Sequence, residues 1–279
     1  MISARALSYL SPGTKERLRS GPGDRPLGIQ LLGKDPYYLL KALERLENYS
    51  FDTLDFNAAC PLKKIVNNGK GTFLLKEPKK LLALLKCLIK HTDKPVTLKM
   101  RLGWDSAKDA LKIALGAEDI GVSAICVHGR TKIQGFREGV DYKAIAKIKK
   151  ALKIPIIGSG DILSPELAKK MLNETGVDAI AVARGALGNP WLIQEIKGML
   201  RGKIVPRPDI LEITQMMRKH LDLNLKHYGE RTGIVRFRKF YIWYTRGFTK
   251  VQPLRAQITQ ISTKKGMDKL IQSLAQIAP

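Results

Sequence analysis

The segment DFNAACP, residues 55–61, is the densest polar constellation in the chain, and it closes an apolar run. Cys60 therefore stands just past a strand end, before a proline that stiffens the turn, where a side chain faces a pocket. A free thiol titrates at about 8.5, so at neutral pH it holds a proton that it can donate, as well as a sulfur that can attack. No His–Asn or His–Asp pairing of the thiol-protease type can be assigned to it, which weakens acyl transfer. The competing reading is a buried thiol packing as a small hydrophobe, and Cys87 and Cys126, on a helix and inside a strand, read that way. A second constellation is GSGDI (158–162) joined by ARGALGNP (183–190). Gly-rich loops let backbone N–H groups approach a phosphate, and a following helix adds its positive end. Arg184 supplies a forked cation, while Asp161 is either a ligand or a bond to the turn before Ser164. Lys99 shares one strand face with Thr97 and Arg101 by alternation. Inside a pocket its charge needs an anionic or electron-rich partner. His128 in VHGRT is either a ligand or a satisfied core histidine.

These residues need elements to hold them. Six apolar runs read as strands: 27–31, 51–57, 95–101, 123–128, 154–158 and 177–183, with a stub near residues 2–7 ahead of the loop GPGDRP (21–26). Helical candidates with apolar residues at three and four spacing alternate with the strands. Pro36, Pro78 and Pro165 sit at first helical turns, and Ser164 reads as an N-cap with Glu166 behind it. Strands apolar on both faces, alternating with helices, imply parallel pairing. Polar residues mark the carboxyl end of almost every strand: Gln30, Asn57, Lys99 with Arg101, His128 with Arg130, Asp161 and Arg184. A barrel gathers such ends into one pocket, whereas an open sheet strings them along an edge. No GxGxxG follows the first strand. The expected fold is an α/β (β/α)8 TIM-type barrel, N-terminally incomplete, followed by a small all-helical domain.

At 279 residues, 44% hydrophobic and 27% charged, the chain can bury a core. No apolar run approaches the ~20 residues that cross a bilayer, and MISARALSYL does not read as a secretory leader. Three cysteines without CxxC spacing argue against disulfides and against a zinc or other metal site, and favour a reducing cytoplasm. The net charge is +24. Residues 201–279 carry 16 basic and 5 acidic side chains, against 33 and 20 in residues 1–200. Such a basic tail suits a polyanion. After a linker at 204–208, helices are expected over 209–228, 231–247 and 264–277, with Gly229 and Gly247 as stops and Pro253 opening a short helix. Basic and aromatic residues interleave in RFRKFYIWYTR (236–246). The expected division is a barrel domain over 1–203 and a basic helical domain over 204–279.

Together these runs resemble the tRNA-dihydrouridine synthases. The matching segments are GIQLLGKDP (28–36), LDFNAACPLKKIVNNGKG (54–71), VTLKMRLGWD (96–105), ICVHGRTKIQGF (125–136), IIGSGDI (156–162) and ARGALGNPW (183–191). The resemblance implies an FMN-binding barrel with a helical RNA-binding domain, acting on uridine in tRNA with NADPH as electron donor. It implies Cys60 as the general acid toward C5 of uracil and Asn57 as a residue positioned beside the base. Gln30, Lys99 and His128 would contact the flavin. Ser159, Gly160 and Asp161, with Ala183 and Arg184, would form the two phosphate loops. Arg236, Arg238 and Lys239 stand for the RNA face, with no membrane and no obligate protein partner. Ala59 and Ser159 replace the family's usual Gly and Asn, and nothing at the front matches its APMxGxTD-like turn, so an N-terminally shortened barrel is expected. Two other readings remain: an RNA-binding protein without flavin activity, and a flavin barrel reducing a small pyrimidine.

Overall fold

Seven short apolar runs pair as strands in the computed structural model, which describes residues 1–21 and 23–277. They are β1 (Ile2–Ser3), β2 (Gly28–Leu32), β3 (Thr53–Ala58), β4 (Val96–Arg101), β5 (Ala124–His128), β6 (Ile156–Ser159) and β7 (Ala179–Ala181). All pairings are parallel and run in sequence order, with β1 and β7 at the two edges. This is TIM-type barrel topology with seven strands. The stub expected at 2–7 is shorter than anticipated: only two residues pair, and the chain then turns into helix α1 (Ala4–Ser8). Pro22, in the expected 21–26 loop, and residues 278–279 lie outside the described residues.

The register sorts side chains by chemistry. Gln30 stands opposite Asp55 and Asp55 opposite Thr97. One layer further along, Asn57 pairs with Lys99 and Lys99 with Cys126. In the last layer Arg101 pairs with His128 and His128 with Ser159. Because side chains alternate along a strand, these three layers share one face of the sheet. The other face carries Leu31, Leu54, Phe56, Leu98, Met100, Ile125, Val127 and Ile156, all buried in one hydrophobic core. Helices α3 (Pro36–Leu46), α5 (Pro78–Lys90), α6 (Ala110–Asp119) and α7 (Tyr142–Ala151) supply its outer layer. In α5 the buried residues are Leu81, Leu84, Leu85 and Leu88, an i, i+3, i+4, i+7 stripe. Between α3 and α5, α4 spans Lys63–Val66; earlier, α2 spans Pro12–Arg17. Pro36 and Pro78 open their helices as expected, with Asp35 capping the Tyr37 N–H ahead of α3. In α8 (Pro165–Thr175), Ser164 accepts the Leu167 N–H at 3.3 Å.

The chain divides into two compact units, Met1–Asp161 with Lys170–Ala181, and Ile162–Lys169 with Val182–Pro279. In the second, α9 (Leu192–Leu200) precedes α10 (Ile210–Tyr228), α11 (Glu230–Tyr244), α12 (Gln252–Gln257) and α13 (Lys264–Ile277). Asp209 and Glu212 form a complete capping box at the start of α10. Gly229, at φ +75°, turns the chain between α10 and α11. Met217, Leu221, Ile234, Phe237, Tyr241, Met267 and Ile271 make a separate core. Among the described residues no helix is long and apolar enough to cross a membrane.

Candidate functional site

Cys60 sits in a turn held from four directions. Asn57, 4% exposed, turns its Oδ1 onto the N–H groups of Ala59 (3.1 Å) and Cys60 (2.9 Å). Arg101, 1% exposed, donates from Nε to the Ala59 carbonyl at 3.0 Å and from Nη1 to the Thr131 and Gly135 carbonyls at 2.9 Å each. The Thr72 N–H and hydroxyl both reach the Cys60 carbonyl, at 3.1 and 3.2 Å. Gly71, at φ +61°, passes so close that a Cβ there would lie 2.6 Å from the Cys60 carbonyl oxygen. The thiol stays half-buried at the top of β3 on a backbone with little freedom.

A polar relay lies beneath this turn. Asn57 Nδ2 donates to Gln30 Oε1 at 2.9 Å, and Gln30 Nε2 donates to Asp55 Oδ2 at 2.6 Å. The Thr97 hydroxyl donates to Asp55 Oδ1, also at 2.6 Å. Burial raises the Asp55 carboxyl above its ordinary pKa, opposed by the bonds from Thr97 and Gln30 and by the Lys99 charge. Asn57 and Gln30 thus spend amide groups on the protein itself. Asn57, expected beside a substrate base, holds the Cys60 turn through its Oδ1.

The neighbouring strand ends form a donor-rich surface. Lys99 Nζ reaches Cys126 Sγ and Ser159 Oγ, both at 3.3 Å. Burial pushes the Cys126 thiol up, so both of these partners are neutral. Burial first, then the Arg101, Lys99 and Arg130 charges, pulls His128 down to about 3. Arg130 Nη1 lies 3.4 Å from His128 Nε2, and a guanidinium only donates, so this geometry assigns the ring proton of the neutral histidine to Nδ1. Arg130, 2% exposed, clasps both carboxylate oxygens of Asp161 and donates to the Glu138 carbonyl. The Asp161 carboxylate is thereby committed to Arg130, and its charge disfavours it as a direct partner of an anion. Gly160, at φ +125°, runs close enough to His128 that a Cβ would approach its ring to 3.0 Å. An ammonium on neutral partners, a neutral N–H, a hydroxyl and bare glycine backbone suit an electron-rich or anionic ligand.

The first unit therefore brings together Gln30, Asn57, Cys60, Lys99, His128, Ser159, Gly160 and Asp161. Ala183 and Arg184 belong to the second unit, where both are exposed and Arg184 begins the 3-10 turn Arg184–Ala186. On α11 the three expected basic residues part ways. Arg236 lies over the Tyr228 ring at 4.0 Å, and Lys239 lies 5.1 Å from Phe240 and 5.7 Å from Trp243; both are exposed. Arg238 is half-buried and donates from Nε and Nη2 to the Ile261 carbonyl, at 3.2 and 2.7 Å, which makes it a tie within the helical unit.

Sequence reasoning passed over Asp55 and the roles of Arg101 and Arg130. For Asp55 a signal existed, since it stands two residues before Asn57 on one strand face. For Arg130 and Asp161 the signal was opposite charge at the ends of adjacent strands. For Arg101 no local pattern announces three carbonyls drawn from separate loops.

The family model described as dihydrouridine synthase (Dus) matches residues 1–278. The tRNA-dihydrouridine synthase B of Pseudomonas aeruginosa is 35% identical over 264 residues, covering 94% of this chain and 79% of that protein. A probable tRNA-dihydrouridine synthase 1 of Synechocystis sp. is 34% identical over 278 residues, 99% of this chain and 78% of that one. A probable tRNA-dihydrouridine synthase of Rickettsia typhi is 35% identical over 261 residues, 92% and 80% of the two chains. With similarity running through both the barrel strands and the helical region, the chain belongs to the dihydrouridine synthase family of oxidoreductases.

Proposed function

We propose that this chain reduces uridine in tRNA to 5,6-dihydrouridine, with FMN as its bound cofactor, NADPH as electron source and Cys60 as the proton donor to C5. One observation carries the reading. The turn that carries the half-buried Cys60 thiol, just past the end of β3, is fixed by Asn57, Arg101 and Thr72, and the neighbouring strand β4 carries Lys99, whose hydrogen-bond partners are neutral. Family membership supports the substrate class.

FMN, when bound, supplies hydride to C6 of the base. The donor set fits such a group: Lys99, Gln30 and His128 would face its ring, and the backbone of Ser159, Gly160 and Asp161 its phosphate. The lysine charge balances electron density on the ring, and His128, kept neutral by burial and its cationic neighbours, offers its Nδ1 proton as a hydrogen bond. Cys60 gives the proton on Sγ to C5 and regains one from solvent. Its turn is already in place, so little ordering entropy is lost at that moment. The base must leave the stack to reach the barrel mouth. Residues 1–203 form the catalytic domain in this reading, and residues 204–279 the RNA-binding domain, with Arg236 and Lys239 as phosphate contacts.

The test is a visible spectrum of the full chain with FMN, followed by a tRNA reduction assay. The expected outcome is flavin binding and dihydrouridine formation. Cys60→Ala should slow base reduction by roughly 10²–10⁴-fold, the range for a positioned acid, while NADPH still bleaches the flavin. Unchanged turnover in Cys60→Ala would remove the thiol from the mechanism.

A further inference from the structure

Every member of the relay under Cys60 is accounted for except the one on which it ends. Two backbone N–H groups converge on Asn57 Oδ1, Asn57 Nδ2 donates to Gln30, and Gln30 Nε2 donates to Asp55. Each amide has one acceptor and one donor end, so the order in which they alternate is a choice the surroundings must impose. A carboxylate is acceptor-only. By taking the Gln30 N–H on Oδ2 and the Thr97 hydroxyl on Oδ1, Asp55 leaves Gln30 a single satisfied orientation. That orientation presents Oε1 upward, and Asn57 in turn presents Oδ1 to the Ala59 and Cys60 amides.

We infer that Asp55, seated on Thr97, is a positioning residue: it anchors the relay through Gln30 and Asn57 that holds the Cys60 turn in its working geometry. The inference rests on the reading of Cys60 as proton donor only for its consequence in catalysis; the relay itself stands on distances. The hydrogen bonds of Asp55 go to Gln30 and Thr97 and not to the Cys60 turn, so it acts on that turn through two intermediates, Gln30 and Asn57. The donor and acceptor inventory also predicts a pattern that packing alone would not. An asparagine at position 55 can keep its oxygen on Gln30 only if its NH2 finds an acceptor on the other side. The Thr97 hydroxyl can turn round and accept. A valine there cannot, and a buried donor is then left unpaired or the relay reverses.

The experiment uses the full chain and four variants: Asp55→Leu, Asp55→Asn, Thr97→Val, and Asp55→Asn combined with Thr97→Val. Hydrogen exchange is read at the Ala59 and Cys60 amides, with α13 as internal reference, and Cys60 alkylation by iodoacetamide is followed by peptide mass. Asp55→Asn and Thr97→Val should each stay within about threefold of wild type. Asp55→Leu and the double variant should exchange about tenfold faster or more, the change expected when a buried hydrogen-bonding group loses its partner. The double effect should exceed the product of the single ones. Unaltered exchange in Asp55→Leu would overturn the inference, as would a double variant no worse than that product. Loss of protection spread through all of β2–β5 would do the same, since it would mark Asp55 as a general core residue. If Asp55→Leu does not fold, the near-isosteric Asp55→Asn and Thr97→Val cycle carries the decision. Cys60→Ala separates this inference from the functional one. Normal base reduction in that variant sinks the donor reading and leaves the exchange result standing. A dead Cys60→Ala with unchanged exchange in the relay variants sinks the relay alone.

Discussion

Arg101 and Arg236 carry the same guanidinium into opposite surroundings. Arg101 is 1% exposed and its planar fork is divided among three backbone carbonyls from the segments after β3 and β5. Arg236 is exposed and lies over the ring of Tyr228. The first costs desolvation and is tolerable only because the donors find partners. The second lies at the surface against an aromatic ring. The contrast extends to their regions: around Cys60 polar side chains serve other protein groups, whereas the outward side of α11 sets exposed cations against aromatic rings. In the proposed reading, proton transfer demands a fixed geometry, which the locked residues around Cys60 would supply. A long polyanion is held by many weak, exposed contacts, which can stay mobile.

Replacing Arg101 by methionine tests the locked side most severely. The aliphatic volume is roughly kept, but carbonyls of Ala59, Thr131 and Gly135 lose a charged donor. Unfolding in urea should show a loss of about 3 kcal/mol or more, at 1–3 kcal/mol for each buried group left unsatisfied. A loss below about 1 kcal/mol would mean that water or a neighbour replaces the clamp.

His128 offers a smaller effect with a definite sign. Its folded pKa, about 3, is depressed from 6.5 by burial and then by Arg101, Lys99 and Arg130. Between these values the unfolded chain binds more protons than the folded one, so stability rises with pH and is lost on acidification. At 1.36 kcal/mol per unit, the histidine removes up to about 3 kcal/mol between pH 7 and pH 4. His128→Gln should lack that component, so its stability deficit relative to wild type at pH 7 should shrink or reverse by pH 4. Parallel stability curves for the two proteins would show that His128 titrates freely in the fold.

The same contrast separates what is legible in the amino-acid sequence from what is not. The strands, prolines at helix starts, Ser164 as N-cap and the helices after residue 208 announce themselves because their signals are local and periodic. Cys60, Lys99 and His128 are legible as polar residues at strand ends. What the pattern could not convey is who spends a side chain on whom. Asn57 and Gln30 read as ligand contacts, and the relay that ties them to Asp55 shows only once the register sets Asp55 beside Gln30. Asp161 reads as a phosphate neighbour, and the engagement of its carboxylate by Arg130 shows only in the fold. Arg238 looks equivalent to Arg236 until the chain returns to put the Ile261 carbonyl in reach. Each is a pairing across 23 to 31 positions of sequence, and helix or strand periodicity carries no information at that range.

The exposed side of the comparison is sharpened by the last variant pair. Arg236 and Lys239, one turn apart on α11, are changed together to alanine, and Arg238 is changed to alanine separately. If the outward pair neutralises two phosphates, the slope of log K against log salt for tRNA should fall by about 2, at roughly 0.9 per contact on duplex nucleic acid. Affinity at a fixed moderate salt should drop about tenfold, and flavin absorbance should be unchanged. Arg238→Ala should leave the salt slope nearly as it was. Its cost should appear instead as lower melting of the helical unit, because the Ile261 carbonyl loses both guanidinium donors. A salt slope that responds to Arg238 as strongly as to the outward pair would break the distinction, and α11 would then act as one undivided basic stripe.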